Sequence, residues 1–182
     1  MKRKDLIKGL GFTALGSLGF INKAFSTPNP QQFYASWTHG NNLTVESPEN
    51  LDSVGHYGWG GDMLIKPGKS SWFHIPIPTP VIVNGNRSLL QRVFIMFQCT
   101  QCSIRNLHVY DGSSKVQEFN NLMYDGEHRT SLDTQNTYNL SNQHIVIWGI
   151  GITFFCVADI GFDSKIPPPR LILGAAGGDF MA

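Results

Sequence analysis

The chain has 182 residues, 41% of them hydrophobic and 15% charged, with 14 Lys and Arg against 13 Asp and Glu for a formal net charge of +1. That near-neutral balance comes from the N-terminus. Lys2, Arg3, Lys4, Lys8 and Lys23 lie within the first 26 residues beside a single acid, Asp5, so the rest carries nine basic and twelve acidic side chains, a net charge of −3. A basic nucleic-acid-binding surface is thereby excluded, and the roughly 156 remaining residues suffice for one domain with its own hydrophobic core.

In chain order, Met1–Lys8 (MKRKDLIK) is basic and Gly9–Ile21 (GLGFTALGSLGFI) is apolar and uncharged. A basic start followed by a short apolar run is the layout of an export signal. The run falls short of the roughly 20 residues a membrane span needs, so no retained span is expected. Small residues at Ala24 and Ser26 suit cleavage after Ser26. Residues 1–26 are thus read as a signal peptide and residues 27–182 as the domain, exported to the periplasm or beyond. The stretch Arg3-Lys4-Asp5-Leu6-Ile7-Lys8 resembles a twin-arginine signal, with Lys4 in place of the second arginine. The resemblance implies export of a folded protein; the departure at Lys4 leaves the ordinary unfolded route open.

Period-two or fully apolar runs then predict strands at Gln32–Trp37, Leu43–Glu46, Trp72–Ile77, Leu90–Gln98, Ser103–Tyr110, Tyr138–Leu140, His144–Ala158 and Arg170–Gly174. Turn formers such as Gly40-Asn41-Asn42, Asn84-Gly85 and Asp111-Gly112 separate them. No amphipathic helix of three turns is evident, so the predicted fold is all-β, a single-domain sandwich with a jelly roll as one form. Leu107 and Val109 share one face of their strand, and Asn106, His108 and Tyr110 share the other. Phe119–Asp133 reads as loop. Trp148, in an apolar stretch, reads as core. The alternating prolines Pro76, Pro78 and Pro80 hold an extended backbone without donors, which suits protection of a sheet edge.

The three cysteines are Cys99, Cys102 and Cys156. Cys99 and Cys102 are placed on a turn, where they are a candidate disulfide in an oxidising compartment; Cys156 reads as a buried thiol. A zinc site would need further ligands that no second close pair supplies, and no metal or other cofactor is expected.

Several phrases then occur together: Trp37-Thr38-His39-Gly40, Gly58-Trp59-Gly60, Trp72-Phe73-His74 with its proline run, and Ser103–Gly112 (SIRNLHVYDG). They resemble a family of small, uncharacterised secreted bacterial β-rich proteins with no assigned activity. The resemblance implies a shared fold and no catalytic residue.

Residue chemistry alone supplies the candidate site. Flat aromatic rings beside polar donors suit a sugar, whose apolar face stacks on a ring while its hydroxyls find hydrogen bonds. Trp59, Trp72, His39, His74, His108 and Asp111 are the candidate ligand-binding residues. The leading expectation is a secreted binding module for an extracellular glycan or small polar ligand. The rivals are an extracytoplasmic hydrolase or lyase, with carboxylates drawn from Asp111, Asp125, Glu127 and Asp133, and a structural subunit of an envelope or surface assembly. The oligomeric state is left open.

Overall fold

The computed structural model describes residues 32–160 and 167–182; the expected signal peptide, residues 1–26, lies outside them. The strands are β1 (Phe33–His39), β2 (Thr44–Val45), β3 (Leu51–Tyr57), β4 (Gly60–Ile65), β5 (Ser70–Pro76), β6 (Ile82–Val83), β7 (Asn86–Arg87), β8 (Leu89–Asp111), β9 (Ser114–Phe119), β10 (Tyr124–His128), β11 (Thr137–Ile145), β12 (Ile150–Ala158) and β13 (Arg170–Met181). All but the β6–β7 hairpin join one antiparallel sheet, in the order β2-β5-β12-β8-β13-β4-β3, with β1 on β13 and β9, β10 and β11 on β8. The fold is all-β and single-domain, the sheet curling into a half-barrel in the manner of a sandwich or jelly roll. Among the described residues no helix is long and apolar enough to cross a membrane.

The 23-residue strand β8 organises the sheet. One edge pairs with β13 along Leu89–Thr100 and then with β12 along Cys102–Asp111. The other edge takes β11, β10 and β9 in turn. Sequence periodicity predicts two strands with a turn between them; the structure has one continuous strand with irregularities. Gln101 has a φ of 53°, and the ladders skip Gln91 and Arg105. Each such bulge bends a strand and shifts its facing by one residue. Ile104 and Leu107, three apart, both point inward as a result.

Period-two burial elsewhere follows the pleat. Phe73 and Ile75 of β5, Ile152 and Phe154 of β12 and Leu107 and Val109 of β8 form one core with Met63 and Ile65 of β4 and Leu171, Leu173 and Phe180 of β13. The Gly- and Ala-rich end of β13, unassigned by periodicity, is a central strand because its small residues admit close neighbours. The Trp37 ring lies over Gly177 and stacks on Phe94 at 5.2 Å. Periodicity likewise misses β3 and β10, whose mostly exposed residues give no apolar alternation, and β4, which is buried but opens on Gly60 and Gly61. The proline run fits its expected edge role. β2 pairs with β5 at Phe73 and His74, with Glu46 N–H donating to the Trp72 carbonyl, and Pro76 lies beyond that pairing, on an edge without a strand partner among the described residues.

Trp148 corrects an expectation. It is 75% exposed, because the apolar run His144–Ala158 is broken into the end of β11, a loop and β12.

Gly40 marks the tightest backbone approach. A Cβ there would lie 1.8 Å from the carbonyl oxygen of Leu173, on the main chain of a central strand. Gly40→Ala should therefore lower stability by about 3 kcal/mol, the upper range for overpacking. Gly58→Ala, with nothing within 4 Å of the added Cβ, should change it by less than about 0.5 kcal/mol. Urea denaturation of the two variants reads the difference; equal effects would overturn the reading.

Candidate functional site

β5, β12 and the second half of β8 lie side by side, and their outward residues align into transverse rows. Thr44, His74, Thr153, His108 and Glu118 are successive cross-strand partners on five strands. Trp72, Phe155 and Asn106 form the row on one side; Pro76, Gly151, Tyr110 and Lys115 form the row on the other. A groove of about 640 Å³ runs over these rows, lined by Trp72, His74, His108, Tyr110 and Thr153 with Glu46 at its rim. Gly151 adds no side chain to the floor and leaves open space beside Tyr110.

The aromatic rings in the groove support one another. The His108 ring lies 4.9 Å from Trp72, whose other neighbour is Phe155 at 5.0 Å, and Tyr110 lies 6.4 Å from His108. His74 is held at both nitrogens, Nδ1 by the Thr153 hydroxyl at 2.9 Å and Nε2 by a Glu46 carboxylate oxygen at 3.1 Å. His108 makes no hydrogen bond to the described residues; its nearest charged partner is Glu118 at 3.9 Å. The groove thus combines ring surface with hydrogen-bonding capacity left free for a ligand. At its end Gly112 has a φ of 58°, and the exposed Trp148 side chain lies over it, 3.0 Å from where a Cβ would be.

Of the residues expected from the sequence, Trp72, His74 and His108 come together here. Trp59 and His39 do not line this groove. Trp59 sits 48% exposed at the β3–β4 turn, stacked on Tyr57 at 5.0 Å. His39 accepts a hydrogen bond at Nδ1 from the backbone N–H of Asn41 and caps the turn after β1. Asp133 and Glu127 are occupied locally, Asp133 with His128 and two backbone N–H groups and Glu127 with Arg129. Tyr110, Thr153, Glu46 and Trp148 were not singled out as ligand contacts. Tyr110 was within reach of sequence reasoning, because it shares the His108 face. Cys99 and Cys102, the candidate disulfide pair, are free thiols here, as is Cys156.

The chain belongs to a family of unknown function, DUF6623, whose sequence profile matches residues 30–165. No curated protein matches it in sequence. Among solved structures, it is similar to a carbohydrate-binding module, CBM36, in complex with calcium and xylotriose. The identity is 10%, 77% of this chain and 96% of that one are covered, and the TM-score is 0.34. It is also similar to TmCBM61 in complex with beta-1,4-galactotriose, with 12% identity, 84% and 89% coverage and a TM-score of 0.33. At these values neither likeness bears on where or what this chain binds.

Asp111, expected as a ligand contact, is instead 2% exposed and fully engaged by the loop that carries Trp148. It accepts backbone N–H bonds from Ile147, Trp148 and Gly149 at 2.7–2.8 Å, and His144 Nε2 lies 2.9 Å from Oδ2. Burial alone would raise its pKa, but these bonds outweigh it and hold the carboxyl down at about 2. Against about 3.9 in an unfolded chain, the carboxylate form contributes about 2 kcal/mol. A lowered folded pKa gives stability that is present above the unfolded value and lost as pH falls through the folded one. Asp111→Asn should cost about 2 kcal/mol at neutral pH. It should also flatten the loss of stability between about pH 4 and pH 2 that the unaltered protein shows. Denaturation midpoints across that range check this; an equally steep acid loss in the variant would contradict it.

Proposed function

We propose that the groove over β5, β12 and β8 binds a glycan or another small polyhydroxylated ligand. The observation that carries the reading is the alignment in one open groove of the Trp72 and Tyr110 rings with the polar row His74–Thr153–His108. Ring faces offer dispersion and apolar contact to a pyranose, and the imidazole of His108, which makes no hydrogen bond among the described residues, offers one to its hydroxyls. Trp148, exposed beside the groove's end, extends the aromatic surface. An extracytoplasmic place of action belongs to the same proposal and rests on the residue pattern of the N-terminus alone.

A catalytic reading has one specific observation in its favour. Thr153, His74 and Glu46 form a chain of hydroxyl, imidazole and carboxylate. Activating a hydroxyl in this way is half of a nucleophilic site; the other half is a set of free donors for the developing oxyanion. Thr153 lies in β12, which is paired along both edges with β5 and β8. The backbone N–H groups beside it are therefore committed to the ladders. Binding is the better-supported reading.

Titration of the purified protein with a panel of soluble polysaccharides and oligosaccharides, read by tryptophan fluorescence, tests this. At least one should give a saturable change. Tyr110→Ala and Trp72→Phe should each weaken binding about tenfold, or ~1.4 kcal/mol, while Trp59→Phe leaves it unaltered. A silent panel, or binding that survives in Tyr110→Ala, would count against the groove. Release of new reducing ends that stops in His74→Ala would favour the catalytic reading.

A further inference from the structure

The groove makes no use of the three cysteines, which the fold gathers beneath the sheet. Cys99 and Cys102 lie three apart on β8, a spacing that in a regular strand points side chains to opposite faces. The left-handed backbone of Gln101, φ 53°, breaks the alternation and turns both thiols inward. Cys156 of β12, whose cross-strand partner is Ile104, supplies the third. The three sulfurs lie within 4.8 Å of one another, and the residues Cys99, Cys102 and Cys156 are 4%, 2% and 0% exposed.

We propose that Cys99, Cys102 and Cys156 bind one soft, thiophilic metal ion in three-coordinate thiolate geometry, monovalent copper being the ion. Metal–thiolate bonds of about 2.3 Å in a trigonal arrangement set the sulfurs about 4 Å apart. That lies within the observed spread, so the backbone need not move. Closed zinc sites take four ligands, and among the described residues the cluster contains no fourth His, Cys, Asp or Glu. Thiolates in apolar surroundings select soft ions over hard ones. The core residues Ile104 and Leu171 are the cross-strand partners of Cys156 and Cys99, and Cys102 Sγ lies 3.2 Å from the carbonyl oxygen of Arg170, to which it donates. Binding of the ion displaces the thiol protons to solvent. Thr100 and Gln101, half-exposed between two of the ligands, place the cluster directly beneath the surface.

The reduced, full-length protein, kept anaerobic, is titrated with monovalent copper presented as its bathocuproine disulfonate complex. The expected result is withdrawal of one copper per chain, a new ultraviolet sulfur-to-copper charge-transfer band and a raised melting temperature. Cys156→Ala should weaken uptake on the order of a hundredfold with an unaltered circular-dichroism spectrum. Should that variant fail to fold, Cys102→Ser provides the same comparison. No copper withdrawn, uptake undiminished when all three cysteines are replaced by alanine, or uptake of zinc in preference to copper would each overturn the proposal. So would a Cys99–Cys102 disulfide in the protein as isolated, seen as a mass two units lower than that of the reduced chain.

Discussion

The double-edged hydrogen bonding of β8 is the constraint on which the rest of the structure depends. A strand that donates and accepts along both edges for 23 residues fixes the register of every element beside it. β13 and β12 follow one another on one edge; β11, β10 and β9 follow on the other. Such a long strand cannot stay flat beneath a single core. The irregularities at Gln91, Gln101 and Arg105 let it bend, and the two halves of the sheet then close over one set of apolar side chains.

Those irregularities also decide which chemistry lies inside and which lies outside. After Arg105, the alternation resumes with Leu107 and Val109 inward, which leaves Asn106, His108 and Tyr110 outward beside Trp72, His74 and Thr153. The groove is the outer face of the same three strands whose inner faces supply Phe73, Phe154 and Leu107 to the core. Its rings and donors are held by rigid ladders, so little ordering cost is left for binding. At Gln101 a comparable shift sends both β8 cysteines inward toward Cys156.

Asp111 shows how a buried charge serves the exposed surface. Its two oxygens satisfy three backbone N–H groups of the loop at 147–149, donors without a strand partner among the described residues. Leaving them unpaired would cost more than the apolar burial of that loop returns. The result is a fixed loop that presents Trp148 to solvent next to the groove, where an apolar sequence context alone suggests burial.

The sequence by itself determined the all-β class, most of the strands and the two faces of the 106–110 segment. Alternation of apolar and polar residues is a local property that survives without knowledge of partners. The same parity carried two residues further places Asp111 on the Val109 face, so its burial was legible too. Only the tertiary structure decided that two predicted strands are one and that a Gly- and Ala-rich tail is a central strand. It alone brought Trp72, His74 and His108 into one groove without Trp59 and His39, and joined Cys156 to the other two thiols. Bulges and cross-strand register arise from pairing between distant segments, and one shifted residue exchanges the inside of a strand for its outside.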